Sequence, residues 1–471
     1  MRTHSGSARS VITWTARGLL LAGALFAMSC GSRLPDSGIE PDGPSTAPAT
    51  AGSTAPSSST APGTTVPNYA SDTGVTAAEI TVGLIVSRTS PLGAETFSGP
   101  SYGAQAYVRA LNARGGINGR TVRLIVCDDA STGAGNRRCV RKLIDDDKVF
   151  ALVSNSILSY SGAEYVSSMG VPDIGSQPID NAYEQYQHLY QIYGSDSPRN
   201  GTVGHDGKLS TGTEIYRYFR LNVGAKVAGV VAFNQSDSLR YAALVEAGLL
   251  AEGYRVVMEQ IDFALPNFEA AAIDMKARGV DSVFDAMDVS GNVALCRAMD
   301  TVGLSVRAKV LSVQSWSESV RAEFSGTSKC RTALYTTGRV LNYMDTQHPV
   351  IARFREEMLA AFPDREDKMS AWTLEGWAGT MWFDDAAASC GAALTRVCVE
   401  RFMNRPEGYD AHGIFDARYF RPREPGTDGT NCLTVAKWED SALGGRGAWV
   451  SSTPLGEFVC YQTPSVEYQA T

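Results

Sequence analysis

The sequence predicts an α/β protein of two lobes, each built on an open, largely parallel sheet with helices on both faces. Three observations carry the prediction. The chain has 471 residues, 44% hydrophobic and 20% charged, enough to bury one large core or two moderate ones. From Ile80 to Gln177 short β-branched runs alternate with longer helical segments. After a loop-rich stretch, 192–212, the same alternation runs again from Ala225 to Val313.

In the first series ITVGLIV (80–86) reads as a buried strand, residues 98–114 as a helix, and GGINGR as a glycine turn into the strand TVRLIVC (121–127). A helix over 134–146, a strand VFALVSN (149–155), a helix near 159–169 and the strand VPDIGSQ (171–177) complete it. The second series opens with the strand AKVAGVVAFN (225–234), the helix 238–253 and the strand 254–262. It continues with the helix 267–279, DSVFDAM (281–287), the helix 292–303 and AKVLSV (308–313). Residues 348–363 and 370–388 are apolar-rich helices, and the chain ends in less regular, strand-like pieces. Trp372, Trp377 and Trp382 stand five apart, so they do not share one narrow helical stripe; at least one is expected to face something other than its own lobe's core.

The N-terminus changes character twice. Arg2, Arg9 and Arg17 precede an apolar stretch, Gly18 to Met28, too short to cross a ~30 Å hydrocarbon layer and shaped like a secretory signal. Ala27-Met28-Ser29-Cys30 resembles a bacterial lipobox, which implies that Cys30 becomes the lipidated N-terminus of the mature chain. Ser29 and Cys30 fit that pattern; Ala27 and Met28 depart from it, and an ordinary signal cleaved near Ala27 is the alternative. The tract from Pro44 to Thr65 holds only Pro, Ser, Thr, Ala and Gly, which cannot bury enough apolar surface to order itself. As a flexible tether, Gly31 to Pro67 would hold a domain roughly 35 Å from its anchor.

Setting Cys30 aside leaves eight cysteines in a secreted chain, enough for four disulfides. Pairing of near neighbours is the first expectation: Cys127–Cys139, Cys296–Cys330, Cys390–Cys398 and Cys432–Cys460. Scattered histidines and the absence of C-x-x-C argue against zinc, and no metal or cofactor is expected. The run Asp145-Asp146-Asp147 lacks the alternating ligands and central glycine of a calcium loop and reads as a solvated helix end. GTVGHDGKLS (201–210) fails the phosphate-loop spacing, with Leu209 where Ser or Thr is required. No nucleophile elbow or H-E-x-x-H occurs, so catalysis is not expected. A net charge of −8 without a long basic run argues against a nucleic-acid surface.

ITVGLIVSRTSPLG, then GAQAYVRALNARGGINGRTVRLIVCDDA with its N-x-x-G-G-I-N-G-R element and terminal Asp128-Asp129, resembles the leucine/isoleucine/valine-binding-protein family of ABC-transporter solute receptors. The resemblance covers about residues 75 to 390. It implies a periplasmic-binding-protein type I fold: two Rossmann-like lobes, three crossovers near 191–195, 335–340 and 408–415, and an interlobe ligand cleft. The implied domains are a signal peptide (1–29), a lipidated cysteine with tether (30–74), lobe one (75–192 with 340–410) and lobe two (193–339 with 411–471). By position, lobe one would bind solute through Thr96, Ser156, Leu158, Ser159, Ser176 and Gln177. Lobe two would add Ser236, Ser238, Asp288, Gln314 and Trp316, and Trp377 matches a family aromatic that lines the cleft.

Each of these serines is equally suited to capping a helix or closing a turn. Gln314 departs from the family, whose amino-acid-binding members place a glutamate near this position for the α-ammonium; Asp288, one strand away, is the substitute. The implied function is a monomeric receptor on the outer face of the cytoplasmic membrane, held by its lipid anchor only. It would take a small amino acid, amide or carboxylate and deliver it to an ABC-transporter permease. A bilobed sensor acting through a signalling partner and, further off, a secreted enzyme are the alternatives.

Overall fold

The computed structural model describes residues 66–90 and 95–469. The signal segment, Cys30 and most of the tether lie outside the described residues.

The first sheet comprises β1 (Glu79–Val86), β2 (Thr121–Asp128), β3 (Ala151–Val153), β4 (Asp173–Ser176) and β5 (Leu189–Gln191), all parallel in the order β2-β1-β3-β4-β5. β1 is buried along almost its whole length, as a β-branched run covered on both faces must be. Its crossover helices are α1 (Gly99–Ala113), α2 (Gly133–Arg141) and α3 (Ala163–Ser168). The three predicted aspartates end a π-helical turn, Lys142–Asp146, where Asp145 pairs with Arg141 and Asp147 with Lys142.

Past β6 (Lys208–Thr211) and α4 (Glu214–Tyr218) the second sheet begins. β7 (Val227–Phe233), α5 (Ser236–Ala251), β8 (Arg255–Ile261), α6 (Phe268–Ala277), β9 (Ser282–Ala286), α7 (Val289–Val302) and β10 (Ala308–Leu311) follow the predicted alternation. The single turns α8 (Val320–Glu323) and α9 (Ser328–Arg331) lead to β11 (Leu334–Gly338). The chain then returns to the first sheet as α10 (Pro349–Ala361), α11 (Ala371–Ser389) and α12 (Arg396–Met403). It closes on the second with β12 (Gly429–Glu439), β13 (Ala448–Ser451) and β14 (Val459–Thr463), while β15 (Val466–Gln469) pairs with β6. The second sheet runs β13-β12-β11-β10-β9-β7-β8, parallel through its centre and antiparallel where β12 joins β11. β6 occupies the end of the stretch rejected as a phosphate loop.

The passages between lobes run side by side. Ser195 N–H donates to the Tyr419 carbonyl at 2.8 Å and Leu341 N–H to the Ile414 carbonyl at 3.0 Å. Beside these contacts Val340 bridges Phe415, Ser195 bridges Phe420, and Tyr409 pairs with Arg418.

α11 is buried all round from Ala371 to Phe383, as a helical stretch without a polar face must be. All three of its tryptophans are buried: Trp372 meets Phe97, Trp377 meets Tyr107, and Trp382 stacks on Tyr409 and packs against Phe420, beyond the range expected for lobe one. Their differing directions reflect a helix packed between two layers. It approaches its neighbours at backbone distance. A methyl group at Gly103 of α1 would overlap the Thr373 carbonyl, and one at Gly376 the Pro100 carbonyl. Gly379 meets Gly175 of β4 in the same way, and Gly175 has φ +70°. The four near-neighbour disulfides are all formed, joining β2 to α2, α7 to α9, the end of α11 to α12, and β12 to β14.

Two outcomes follow for stability. Gly103→Ala wedges α1 from α11 and should lower the unfolding free energy by on the order of 3 kcal/mol. Gly326→Ala, with open space around it, should change it by under about 0.5 kcal/mol; urea unfolding of both variants measures the contrast. Loss of Cys296–Cys330, which closes 34 residues, should destabilise more than loss of Cys390–Cys398, which closes 8, by about 1 kcal/mol in the loop-entropy account. Paired Cys→Ser variants in the same assay check the order.

Candidate functional site

In open parallel sheets the strand carboxyl ends and the helix starts beyond them gather backbone N–H groups and loop side chains. Here the two sets of strand ends are bridged. Arg240 of α5 donates to the Ile179 carbonyl and to Asn181 Oδ1, both at 2.6 Å, just past β4. On another part of the seam, Ala371 N–H donates to the Trp316 carbonyl at 2.9 Å and Arg355 pairs with Glu318 at 3.0 Å.

The lobe-one residues named from the sequence fall into neighbouring loops. Ser156 pairs through its backbone with β1, and its buried hydroxyl has no partner. Leu158 N–H donates to Ser87 Oγ at 3.0 Å, the Ser159 hydroxyl lies 3.3 Å from that of Ser161, and Thr96 is half-buried in the turn before α1. The Ser176 hydroxyl is spent internally: it donates to Asp173 and accepts from Asn155 N–H. Asp173 also accepts from Asn155, Tyr160 and Tyr183, making a closed polar knot below the strand ends. Gln177, 3% exposed, donates through Nε2 to Glu375 Oε2 at 3.2 Å.

In lobe two the local roles dominate. Ser236 is the exposed first residue of α5. Ser238 Oγ accepts from Phe233 N–H and donates to the Ala286 carbonyl, tying β7 to β9. Asp288 caps α7, taking the N–H groups of Ser290 and Gly291. Gln314 is half-buried in the turn Val313–Ser315, and Trp316 is fully buried with its indole N–H unpartnered. Trp377 corrects the sequence reading: its ring sits among Tyr107, Phe354 and Arg353 and its N–H donates to Glu357 at 2.7 Å, inside the α1–α10–α11 layer.

Residues 79–443 match the periplasmic binding protein family. The chain belongs to that family. No curated protein matches the sequence. Among solved structures, the fold is similar to the branched-chain amino acid transporter substrate-binding protein of Streptococcus pneumoniae, crystallised with isoleucine. That likeness has 16% identity and a TM-score of 0.60, and covers 79% of this chain and 99% of that one. A leucine-binding protein from Thermotoga maritima is similar at 15% identity and TM-score 0.59, covering 79% of this chain and 97% of its own. A fatty acid ABC transporter substrate-binding protein from Thermomonospora curvata gives 15% and 0.59, covering 82% and 97%. The protein is a solute-binding protein with the type I architecture of two lobes joined by three crossovers. No helix among the described residues is long and apolar enough to cross a membrane.

In this periplasmic binding protein the seam holds residues that the sequence reading missed. Glu375 is fully buried on α11; the Tyr193 hydroxyl donates to its two oxygens at 2.9 and 3.0 Å, beside the bond from Gln177. Arg418 lies close by, paired with Asp416 and donating to the Arg339 carbonyl, while Arg339 binds Asp416 at 2.7 Å. The signal for Glu375 was its isolation, as the sole charge between Ser370 and Phe383 in an otherwise apolar helix.

Burial pushes the Glu375 carboxyl up to about 7, against the lowering pull of Tyr193, Gln177 and Arg418. Since the unfolded carboxyl titrates near 4.5, the folded protein keeps this proton while the unfolded chain loses it. Its contribution is therefore fullest below about pH 4.5 and falls as pH rises to about 7. Glu375→Gln should remove that decline and gain on the wild type by on the order of 3 kcal/mol across the window. Urea unfolding of both proteins at several pH values reads it directly.

Proposed function

We propose that the protein is the extracytoplasmic receptor of an ABC importer. It takes a small polar solute of the amino acid, amide or carboxylate class between its lobes and hands it unaltered to a membrane permease. The observation that carries this reading is that, among the buried polar groups without partners in the described residues, Ser156 Oγ stands beyond β3 and Ser315 Oγ and Trp316 Nε1 stand beyond β10, at the ends of both sets of strands. An unmet buried donor costs about 1–3 kcal/mol, and a solute carboxylate or amide meets such groups from between the lobes. Family membership supports the same reading, as do the names of the similar structures, one holding isoleucine and another assigned to fatty acid transport. Cys30, lipidated, and the tether would keep a monomeric receptor at the outer face of the cytoplasmic membrane.

Lobe closure then works as a population shift: solute contacts favour the state in which Arg240 reaches Ile179 and Asn181. A thermal-shift screen across amino acids, amides, short carboxylates and sugars should find a stabilising class, because a ligand at 100 times Kd adds about 2.7 kcal/mol. A silent screen would count heavily against the receptor reading. For any hit, Arg240→Ala should weaken binding about tenfold by removing charged hydrogen bonds made only on closure. Calorimetry giving equal affinity would remove Arg240 from the closing mechanism.

A further inference from the structure

Within that reading, one side chain decides which polarity the solute must present. Gln177 follows directly on β4, two residues before the carbonyl to which Arg240 reaches from the other lobe, so its loop forms part of the seam. Its amide has an acceptor and a donor end, and what binds one end determines which is left. Glu375 binds the donor end, through Nε2, while Tyr193 O–H covers both carboxylate oxygens. An ionised carboxylate has no proton to give, so it holds the amide in this sense and leaves Oε1 on the opposite side. A protonated carboxyl donates, so it supports the turned-over amide, with Oε1 toward Glu375 and the NH2 group away from it.

We propose that Glu375 is a positioning residue that sets whether Gln177 offers the solute an acceptor or a donor. With Glu375 ionised the receptor favours donor-bearing solutes such as amides; with Glu375 protonated it favours acceptor-bearing ones such as carboxylates.

The surroundings leave the switch to Glu375. Tyr193 is raised well above its ordinary value by burial and stays protonated. Arg418, lowered by burial to about 10, stays charged and engaged with Asp416. Arg339 and Glu214 lie beyond it, and Tyr241 of α5 stands near Tyr193. On α1, Tyr102 turns to Glu95 and Tyr107 to Asp384; on β4, Asp173 turns to its own knot. The titration of Glu375 near 7 puts the change within an ordinary extracellular range.

The test has one arm that needs no solute. The side-chain amide resonances of Gln177, assigned by their loss in Gln177→Met, should move between pH 5.5 and 8.5 with a midpoint near 7 in the full protein and stay still in Glu375→Gln. Resonances that stay still in the wild type overturn the proposal, whatever the protein binds. In the second arm, the butyramide-to-butyrate ratio of dissociation constants should change about tenfold across that range, a differential of 1.4 kcal/mol. It should be constant in Glu375→Gln and in Gln177→Ala, which leaves Glu375 in place should the first variant fold poorly. A wild-type ratio independent of pH, or one that shifts equally in Gln177→Ala, overturns it. If neither probe binds, the choice of solute class fails, and the resonances still decide the switch.

Discussion

The approach of α11 to α1 and β4 at backbone distance is the constraint on which the rest of lobe one depends. Gly103, Gly376, Gly379 and Gly175 remove the side chains that would otherwise hold these elements apart. Because α11 enters from the part of the chain that follows β11, lobe one is completed only after the chain has built the centre of lobe two. Once seated, the helix has no rotational freedom left, since every face is in contact. Residues two apart on a helix point roughly 200° from each other. Glu375 toward Gln177 and Tyr193 therefore forces Trp377 toward α1 and α10, where its ring meets Tyr107 and Phe354.

The second organising feature is the use of buried polar groups to hold strand ends in place. In lobe one Asp173 gathers Asn155, Tyr160, Ser176 and Tyr183; in lobe two Lys309 binds Asp285 and Asn292, tying β10, β9 and α7 together. Such pairs add little net stability, because desolvation offsets much of the attraction, but breaking one strands a charge. Their effect is to allow one arrangement and penalise others. Binding loops fixed in this way lose less freedom when a solute arrives.

The sheets were legible because parallel strands covered on both faces read as near-continuous apolar runs, as ITVGLIV and VAGVVAF do. The disulfides were legible because each joins near neighbours in sequence. The pairing of β6 with β15 was not, since more than 250 residues separate Thr211 from Val466 and neither strand has a strong apolar pattern. The site was harder for a different reason. Sequence shows that a serine stands at a strand end, but not whether its hydroxyl is already used. Ser176, Ser238 and Asp288 all stand where a solute could be met, and all serve neighbouring backbone or side chains. Ser156 stands in an equivalent place and is unspent.

Burial explains why a carboxyl in the seam holds its proton so late, since the one charge it feels, Arg418, pulls the other way. Arg339 and Arg418 bring two positive charges, and Asp416 answers both of them. Burial raises Glu214 and Glu375 separately: Arg339 and Arg418 pull Glu214 down and Asp416 pushes it up, while Glu375 feels Arg418 alone among the charges. Glu375 is the member surrounded by hydroxyl and amide rather than guanidinium, and its two neutral donors stabilise the ion without supplying charge. A carboxyl held in this way by burial lies directly beside the Gln177 amide that binds it.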